Sequence, residues 1–161
     1  MKIKMRRNAR PNPKSGKIRE WLEAEDYQIC IHNIVEQEYI FSHKRKLVVY
    51  IEVEYRNQTQ LENMSCRRNQ WHLFMRDGYS FEALSELRKA IYYHERPYFG
   101  SERYINPGRN VRGWLAFEIP LDAGVQYIQF MTAFLKTNTV EIDITDRDIQ
   151  KDPPVDLSYS R

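Results

Sequence analysis

The chain has 161 residues and a formal net charge of +3, with 42% hydrophobic, 29% charged and 13% aromatic residues. This length suits one ordinary domain with a tail, which folds without a metal or a disulfide framework. The composition excludes a collagen, a wholly disordered chain and a disulfide-dense miniprotein. No apolar run approaches the roughly 20 residues of a membrane-spanning helix.

The positive charge is concentrated at the N-terminus. Residues 1–19 carry eight bases and no acid, which leaves 17 bases and 22 acids, a net charge of −5, on the remaining residues. Pro11 and Pro13 disfavour a helix, so residues 1–18 are predicted to form a flexible basic arm. The arm is interpreted either as a solvated tail, which pairs with the acidic body, or as a segment that binds nucleic acid or another anionic partner such as a membrane surface. Its candidate anion-binding residues are Lys2, Lys4, Arg6, Arg7, Arg10, Lys14, Lys17 and Arg19.

Strand patterns dominate the rest of the chain. Alternating apolar and polar residues with turn signals between them, and no strand–helix–strand repeat, predict an all-β antiparallel sandwich of seven to eight strands. The predicted elements in chain order are a short helical turn at 18–24, strands at 27–36, 46–56, 62–67 and 70–75, a return strand from residue 79, a short helical insertion at 83–95, and strands at 110–119, 125–134 and 139–144.

In two of these predicted strands, the alternation also predicts which side chains face inward. In residues 27–36, Ile29 and Ile31 share one face, and Cys30, His32 and Ile34 are predicted on the other. In residues 110–119 the odd-numbered residues, Gly113 among them, face inward, and Trp114 points to the opposite face. The missing side chain of Gly113 is expected to let a neighbour approach closely.

Composition also predicts where the sandwich domain begins and ends. The predicted domain covers residues 19–145, and residues 146–161, which are polar and contain Pro153-Pro154, are predicted to form a C-terminal tail. Cys30 and Cys66 are interpreted either as free thiols or as one bridge, since both lie in or beside strands. No apolar signal region follows the basic N-terminus, which predicts a cytoplasmic protein if Met1 is the native start, and an extracellular or lipid-anchored one otherwise.

The most distinctive motif is Pro-Gly, three residues, then Arg-Gly-Trp-Leu-x-Phe-x-x-Pro at residues 107–120. Together with Asn57 at the end of a strand and the Asp77-Gly78 turn, it resembles the telokin-like immunoprotective extracellular domains of bacteria. The likeness covers residues 26–144. It implies an immunoglobulin-like β-sandwich with a non-catalytic role and no shared catalytic residues, in a family whose members are usually secreted or lipid-anchored.

Tyrosines and arginines cluster around the segment 84–112. Tyrosine combines a large contact area with a polar tip and is favoured at protein interfaces, as is arginine. The cluster is interpreted either as a surface for a protein partner or as rings that close one end of the sandwich. Its candidate partner-binding residues are Tyr92, Tyr93, Arg96, Tyr98, Phe99, Arg103, Tyr104 and Arg109.

No pattern of an enzyme or a metal site is present. Nucleophile, phosphate-loop and dinucleotide motifs are absent, and the histidines have no ligand spacing, so we expect a non-enzyme without cofactor or metal. Glu52 and Glu54 share a strand face and are predicted to be solvated. The aspartates at 143, 146, 148 and 152 are weighed as calcium ligands but predicted to be solvated, because their spacing matches no calcium loop.

Overall fold

Two β-sheets stacked face to face form the body of the protein in a computed structural model that describes residues 14–85, 97–99, 102–132 and 138–158. The first sheet has the strand order β1 (Lys14–Lys17), β11 (Thr139–Asp143), β10 (Val125–Met131), β6 (Trp71–Met75), β7 (Ser80–Glu82). The second has the order β12 (Ile149–Lys151), β3 (Tyr27–Phe41), β4 (Lys44–Asn57), β9 (Asn110–Ile119), and β2 (Leu22–Ala24) and β13 (Val155–Asp156) also pair with β3. A separate ribbon joins β5 (Met64–Cys66) to β8 (Arg103–Ile105), and short 3-10 turns occupy Arg68–Gln70 and Asp146–Asp148.

The predicted fold class, an all-β sandwich, is confirmed. Most strand pairs are antiparallel, whereas β1 with β11, and β12 and β13 with β3, are parallel. The structure adds five short strands, β1, β2, β8, β12 and β13, to those that the sequence predicts. Their two to four residues are too few for alternation to reveal them.

Apolar side chains from both sheets meet in one core. It includes Val53 and Tyr55 of the second sheet, and Trp71, Leu73 and Phe130 of the first, each fully buried. Alternation explains this arrangement, because every second residue of a half-buried strand points to the same face.

A β-bulge corrects the predicted faces of β3. The register with β4 shifts between Ile31 and Asn33, so one extra residue is inserted at His32. Ile34 therefore lies in the core with Ile29 and Ile31, not on the opposite face as strict alternation predicts.

The predicted close approach at Gly113 is confirmed, and the neighbour is Phe99. A Cβ atom added to Gly113 would lie 3.2 Å from the Phe99 ring. Backbone hydrogen bonds hold the two segments together, since Trp114 N donates to Pro97 O and Phe99 N donates to Trp114 O. Phe99 is only 3% exposed.

The C-terminal segment covers part of the outer face of the second sheet. Five buried side chains form a small cluster there, and Val155 and Leu157 pack against it. Asp152 N donates to Glu36 O at 2.9 Å and Leu157 N donates to Ile40 O at 2.7 Å. The five are Val35, Tyr39, Val48, Tyr50 and Ala116. Residues 149–156, predicted as part of a polar tail, thus add strands to the sheet.

Two other predicted segments differ from the structure or lie outside it. Residues 22–24, within the predicted helical turn at 18–24, form β2. Most of the predicted helix at 83–95 lies outside the described residues, as do residues 1–13 of the predicted arm, whose residues 14–17 form β1.

Both cysteines are free thiols. Cys30 and Cys66 are each buried, and neither forms a disulfide, so of the two interpretations the structure has the free thiols. Among the described residues, no helix has the length and apolar character needed to cross a membrane.

Candidate protein-interaction surface

Asn57 organises one end of the sandwich. Its Nδ2 donates hydrogen bonds of 2.8 Å to both Glu62 O and Ile105 O, and its Oδ1 accepts from Thr59 N at 2.9 Å. Its backbone N donates to Arg109 O at 3.0 Å. A single residue, 1% exposed, thus joins the loop after β4 to both ends of the turn between β8 and β9, through its side chain at Ile105 and its backbone at Arg109.

The tight turn between β8 and β9 has the residue types that its backbone conformation requires. Arg109 N donates to Asn106 O at 3.1 Å across Pro107 and Gly108, and Gly108 has φ +73°, where residues other than glycine are strained. Gly108 N then donates to Asn57 O at 3.0 Å. The predicted Pro-Gly turn is therefore fixed to the same asparagine.

Two large apolar side chains are exposed beside this framework. Leu61 is 92% exposed and precedes Glu62, while Tyr104 is 63% exposed and precedes Ile105. Both Arg103 and Arg109 are also exposed. We call these four residues, Leu61, Arg103, Tyr104 and Arg109, the Tyr104 surface.

A buried hydrogen-bond network supports the Tyr104 surface from below. Tyr27 OH donates to Ser65 O at 2.7 Å, next to the core, and Ser65 pairs across the ribbon with Tyr104. Gln70 Nε2 donates to Thr132 O at 3.2 Å, and the Gln70 Oε1 accepts from Tyr55 OH at 2.6 Å. Burial raises the pKa of the Tyr55 hydroxyl well above its usual value, so it stays protonated and donates this bond.

The structure separates the residues that the sequence groups as one partner-binding cluster. Arg103, Tyr104 and Arg109 are all exposed, the first two as neighbours on β8 and Arg109 at the end of the turn that follows it. Phe99 is a core residue, so its assignment to an exposed surface is wrong. The reason is Gly113, whose missing side chain leaves space for the ring.

Tyr98, another member of that cluster, lies elsewhere. It packs on the outer face of the second sheet, near Tyr50, with ring centroids 6.4 Å apart. Tyr92, Tyr93 and Arg96 lie outside the described residues.

The arm residues that the structure describes are attached to the sandwich. Lys14 and Lys17 are exposed on β1, and Lys14 Nζ donates to Glu23 O at 3.1 Å. Arg19 has φ +65°, and its backbone N donates to Ile31 O at 2.7 Å. Lys2, Lys4, Arg6, Arg7 and Arg10 lie outside the described residues.

A polar network that the sequence does not predict lies on the outer face of the second sheet. Glu52 accepts from Arg112 Nε at 2.9 Å, from Arg112 Nη2 at 3.2 Å and from Asn33 Nδ2 at 2.8 Å. Burial alone would raise the pKa of the Glu52 carboxyl, but the hydrogen bonds from Arg112 and Asn33 outweigh it and hold that pKa below its usual value.

Glu54 extends the same network. It accepts from Asn110 Nδ2 at 2.8 Å and lies 2.7 Å from His32 Nε2. The side chains of Glu52 and Glu54 are each only 14% exposed, so their predicted solvation is wrong. These side chains therefore find their ion-pair and hydrogen-bond partners within the sheet. Charged groups that are largely shielded from solvent usually need such partners.

Two of the acidic C-terminal residues bind partners within the protein. Asp148 Oδ2 accepts from Thr145 N at 2.8 Å, and Asp146 lies 3.3 Å from Arg76. Within the described parts of the chain, no group of three or more His, Cys, Asp or Glu side chains is placed to hold a metal ion.

A family model covers this framework almost completely. The family described as "Domain of unknown function (DUF4352)" matches residues 16–140, from β1 to β11. The chain belongs to this family. Asn57 and the whole Tyr104 surface lie within the matched segment, whereas β12 and β13 follow it. The finer resemblance to telokin-like domains is not confirmed by this match.

Solved structures with the same fold come from several bacteria. MPT63, a secreted protein of Mycobacterium tuberculosis, is 9% identical with a TM-score of 0.60, over 84% of this chain and 100% of that one. The yjhA protein of Bacillus subtilis is 14% identical with a TM-score of 0.54, over 80% and 99%. An uncharacterized β-sandwich protein of Clostridium difficile is 14% identical with a TM-score of 0.52, over 84% and 97%. At these identities the likeness shows the fold alone.

No curated protein matches the chain.

Proposed function

We propose that the chain is a non-catalytic interaction domain that binds a protein partner through the Tyr104 surface. The observation that carries the proposal is the pair of exposed apolar side chains, Leu61 at 92% in the loop after β4 and Tyr104 at 63% on β8, two segments that Asn57 joins. Two exposed apolar residues on a fixed backbone lose little conformational entropy on binding, which favours recognition of a partner. The flanking Arg103 and Arg109 are of the type enriched at interface hot spots.

The non-catalytic part of the proposal is supported by how the polar side chains are used. A catalytic acid, base or nucleophile needs an open position beside it for a substrate. Glu52 and Glu54 are instead covered and engaged with Arg112, His32 and their neighbours. Burial raises the pKa of the Cys66 thiol to about 12 and also raises the pKa of the Cys30 thiol, which opposes a role as nucleophile.

The resemblance to telokin-like immunoprotective domains adds a proposed location. Members of that family are usually secreted or lipid-anchored, and MPT63 is a secreted protein. We therefore propose that the partner is met outside the cytoplasm. Fractionation of the native cell tests this proposal, and recovery of the chain with the cytoplasmic proteins alone would refute it.

Site-specific photocrosslinking in the native cell tests the binding surface. The full chain carries p-benzoylphenylalanine in place of Tyr104, and the matched control carries it in place of Tyr79, which is 71% exposed on the hairpin between β6 and β7. We expect a discrete protein adduct from position 104 that is absent from position 79. Leu61→Asp combined with the crosslinker at 104 should weaken that adduct.

Two outcomes would overturn the proposal. One is the absence of a protein adduct from position 104, or the same bands from both positions. The other is an adduct at 104 that nuclease removes, which would favour the rival hypothesis of nucleic-acid binding.

A further inference from the structure

We infer that the partner presents an acidic segment of its polypeptide to the Tyr104 surface, an inference that rests on the proposed function. The loops and strands around this surface, residues 56–70 and 102–109, contain five arginines and two glutamates. Outside these two segments, residues 20–161 carry 12 bases and 20 acids, so the rest of the chain beyond residue 19 is acidic. The five arginines are Arg56, Arg67, Arg68, Arg103 and Arg109.

Among the described residues, these five arginines have no carboxylate partner, unlike three arginines elsewhere in the sandwich. Arg45, Arg76 and Arg112 each form an ion pair with an acidic side chain. No ion pair joins any of the five arginines to a carboxylate in the part of the chain that the structure describes. An incoming carboxylate can therefore pair with an arginine here without the loss of an internal pair, most readily with the exposed Arg103 and Arg109, since the other three are half-buried.

Two of the five are also held in position by neutral contacts. The Arg56 guanidinium lies over the Trp21 ring at 3.9 Å from its centroid, and Arg56 Nη1 donates to Gln28 Oε1 at 3.1 Å. Arg68 Nη1 lies 3.4 Å from Phe99 O. Such contacts restrict the side chains without neutralising them, which lowers the entropy lost when an anion binds.

The surface fits a polypeptide better than a nucleic-acid backbone. Glu62 and Glu102 are interspersed among the arginines and would repel a continuous row of phosphates. Leu61, at 92% exposure, offers an apolar contact that a phosphate backbone leaves unused. An acidic segment with apolar side chains between its carboxylates satisfies both kinds of group, because carboxylates pair with the arginines and apolar groups cover Leu61 and Tyr104.

Charge reversal tests this inference. The variant Arg103→Glu/Arg109→Glu is compared with Arg147→Glu/Lys151→Glu, which makes the same charge change at exposed residues of the C-terminal segment. Both are made in the full chain with the crosslinker at position 104. We expect the first to weaken the adduct about tenfold and the second to leave it unchanged. Urea unfolding of both variants verifies that the fold is intact.

A second measurement identifies the chemistry directly. The purified chain is applied to an array of short peptides rich in Asp and Glu, to the same peptides with Lys in place of the acids, and to single-stranded DNA. We expect retention on the acidic peptides alone, weakened by salt and by Arg103→Glu/Arg109→Glu. Equal retention on the lysine peptides, or stronger retention on DNA, would overturn the inference.

The two proposals fail in different ways. If wild type forms the adduct at position 104 and charge reversal leaves it unchanged, the acidic partner is wrong and the interaction surface stands. If wild type forms no adduct, the interaction surface fails and the acidic partner fails with it.

Discussion

The indole Nε1 of Trp71 donates a hydrogen bond of 2.8 Å to the hydroxyl of Tyr55, and both side chains are fully buried. Tyr55 belongs to β4 in one sheet and Trp71 to β6 in the other, so this bond crosses the core. The same hydroxyl donates to Gln70 Oε1 at 2.6 Å. Polar bonds of fixed direction thus join the two sheets beneath the Tyr104 surface.

Replacing Tyr55 by Phe should destabilise the protein by about 1–3 kcal/mol, because the buried Trp71 Nε1 and Gln70 Oε1 each lose a partner. The control is Tyr127→Phe. The Tyr127 hydroxyl makes no hydrogen bond to a described residue, and its ring stacks on Phe74 at 4.7 Å, a contact that phenylalanine retains. Urea unfolding measures both variants. Equal stability of the two would show that the bonds across the core contribute nothing.

Replacing Asn57 by Ala should have two separate effects. The variant removes the buried bond to Ile105 O and the part-buried bond to Glu62 O, which keeps only the Thr59 hydroxyl as a donor, and should lower the free energy of unfolding by about 1–3 kcal/mol. It should also release the loop that carries Leu61 from the strand β8 that carries Tyr104, and so weaken the crosslinked adduct at position 104 under conditions where the domain remains folded.

The matched control for Asn57 is Asn138→Ala. Asn138 is exposed, and its Nδ2 donates to Glu25 Oε1 at 2.6 Å. An exposed bond of this kind contributes little, so the change in unfolding free energy should stay within about 0.5 kcal/mol. If Asn57→Ala left the adduct as strong as in wild type, Asn57 would be a stabilising residue with no influence on the surface.

Gly113→Ala should destabilise the protein, even though alanine is usually less unfavourable than glycine within a strand. The new Cβ would lie 3.2 Å from the Phe99 ring, which Tyr55 contacts edge to face at 5.8 Å between centroids. Because Phe99 is confined, we expect a loss of about 1–3 kcal/mol from overpacking. Phe99→Leu in the same chain should recover part of that loss, and a double-mutant cycle by urea unfolding measures the coupling. Strict additivity of the two changes would contradict the proposed clash.

The long strands could be predicted from the sequence because apolar and polar residues that alternate over ten or more positions indicate a half-buried strand. Residues 110–119 form β9 with the predicted bounds, and its odd-numbered residues face the core. The same rule placed Ile34 on the wrong face, because a bulge inserts one residue without a sequence signal as strong as alternation. Alternation could not reveal the strands β12 and β13, since each has three residues or fewer and the two flank Pro153-Pro154.

The interaction surface could be predicted only in part. Tyrosine and arginine composition points to Arg103, Tyr104 and Arg109, which the structure leaves exposed, but composition cannot tell that Phe99 fills the space over Gly113, which lies 14 residues further along the chain. Asn57 was visible as the end of a strand. Its bond to Ile105 O joins residues 48 positions apart, a pairing that only the tertiary structure defines.

Cys66 should make stability fall at alkaline pH. Burial raises the pKa of its thiol to about 12 in the folded chain, from an ordinary value of 9.0. Well below pH 9 both states keep the proton and the thiol has no effect on stability. Above pH 9 the unfolded chain ionises first and binds fewer protons than the native chain, so stability falls as the pH rises toward 12. The loss should reach roughly 1 kcal/mol at pH 10.

Comparing slopes rather than absolute stabilities isolates this effect, because Cys66→Ala also removes packing. Between pH 9 and pH 10 the free energy of unfolding should fall less steeply in Cys66→Ala than in wild type, as measured by urea unfolding. Cys30→Ala is the matched control, and it should change the slope less, since burial raises the pKa of the Cys30 thiol by a smaller amount. The Tyr55 hydroxyl ionises in the unfolded chain mainly above this range. Identical slopes in wild type and Cys66→Ala would mean that the Cys66 thiol ionises equally easily in both states, contrary to its burial.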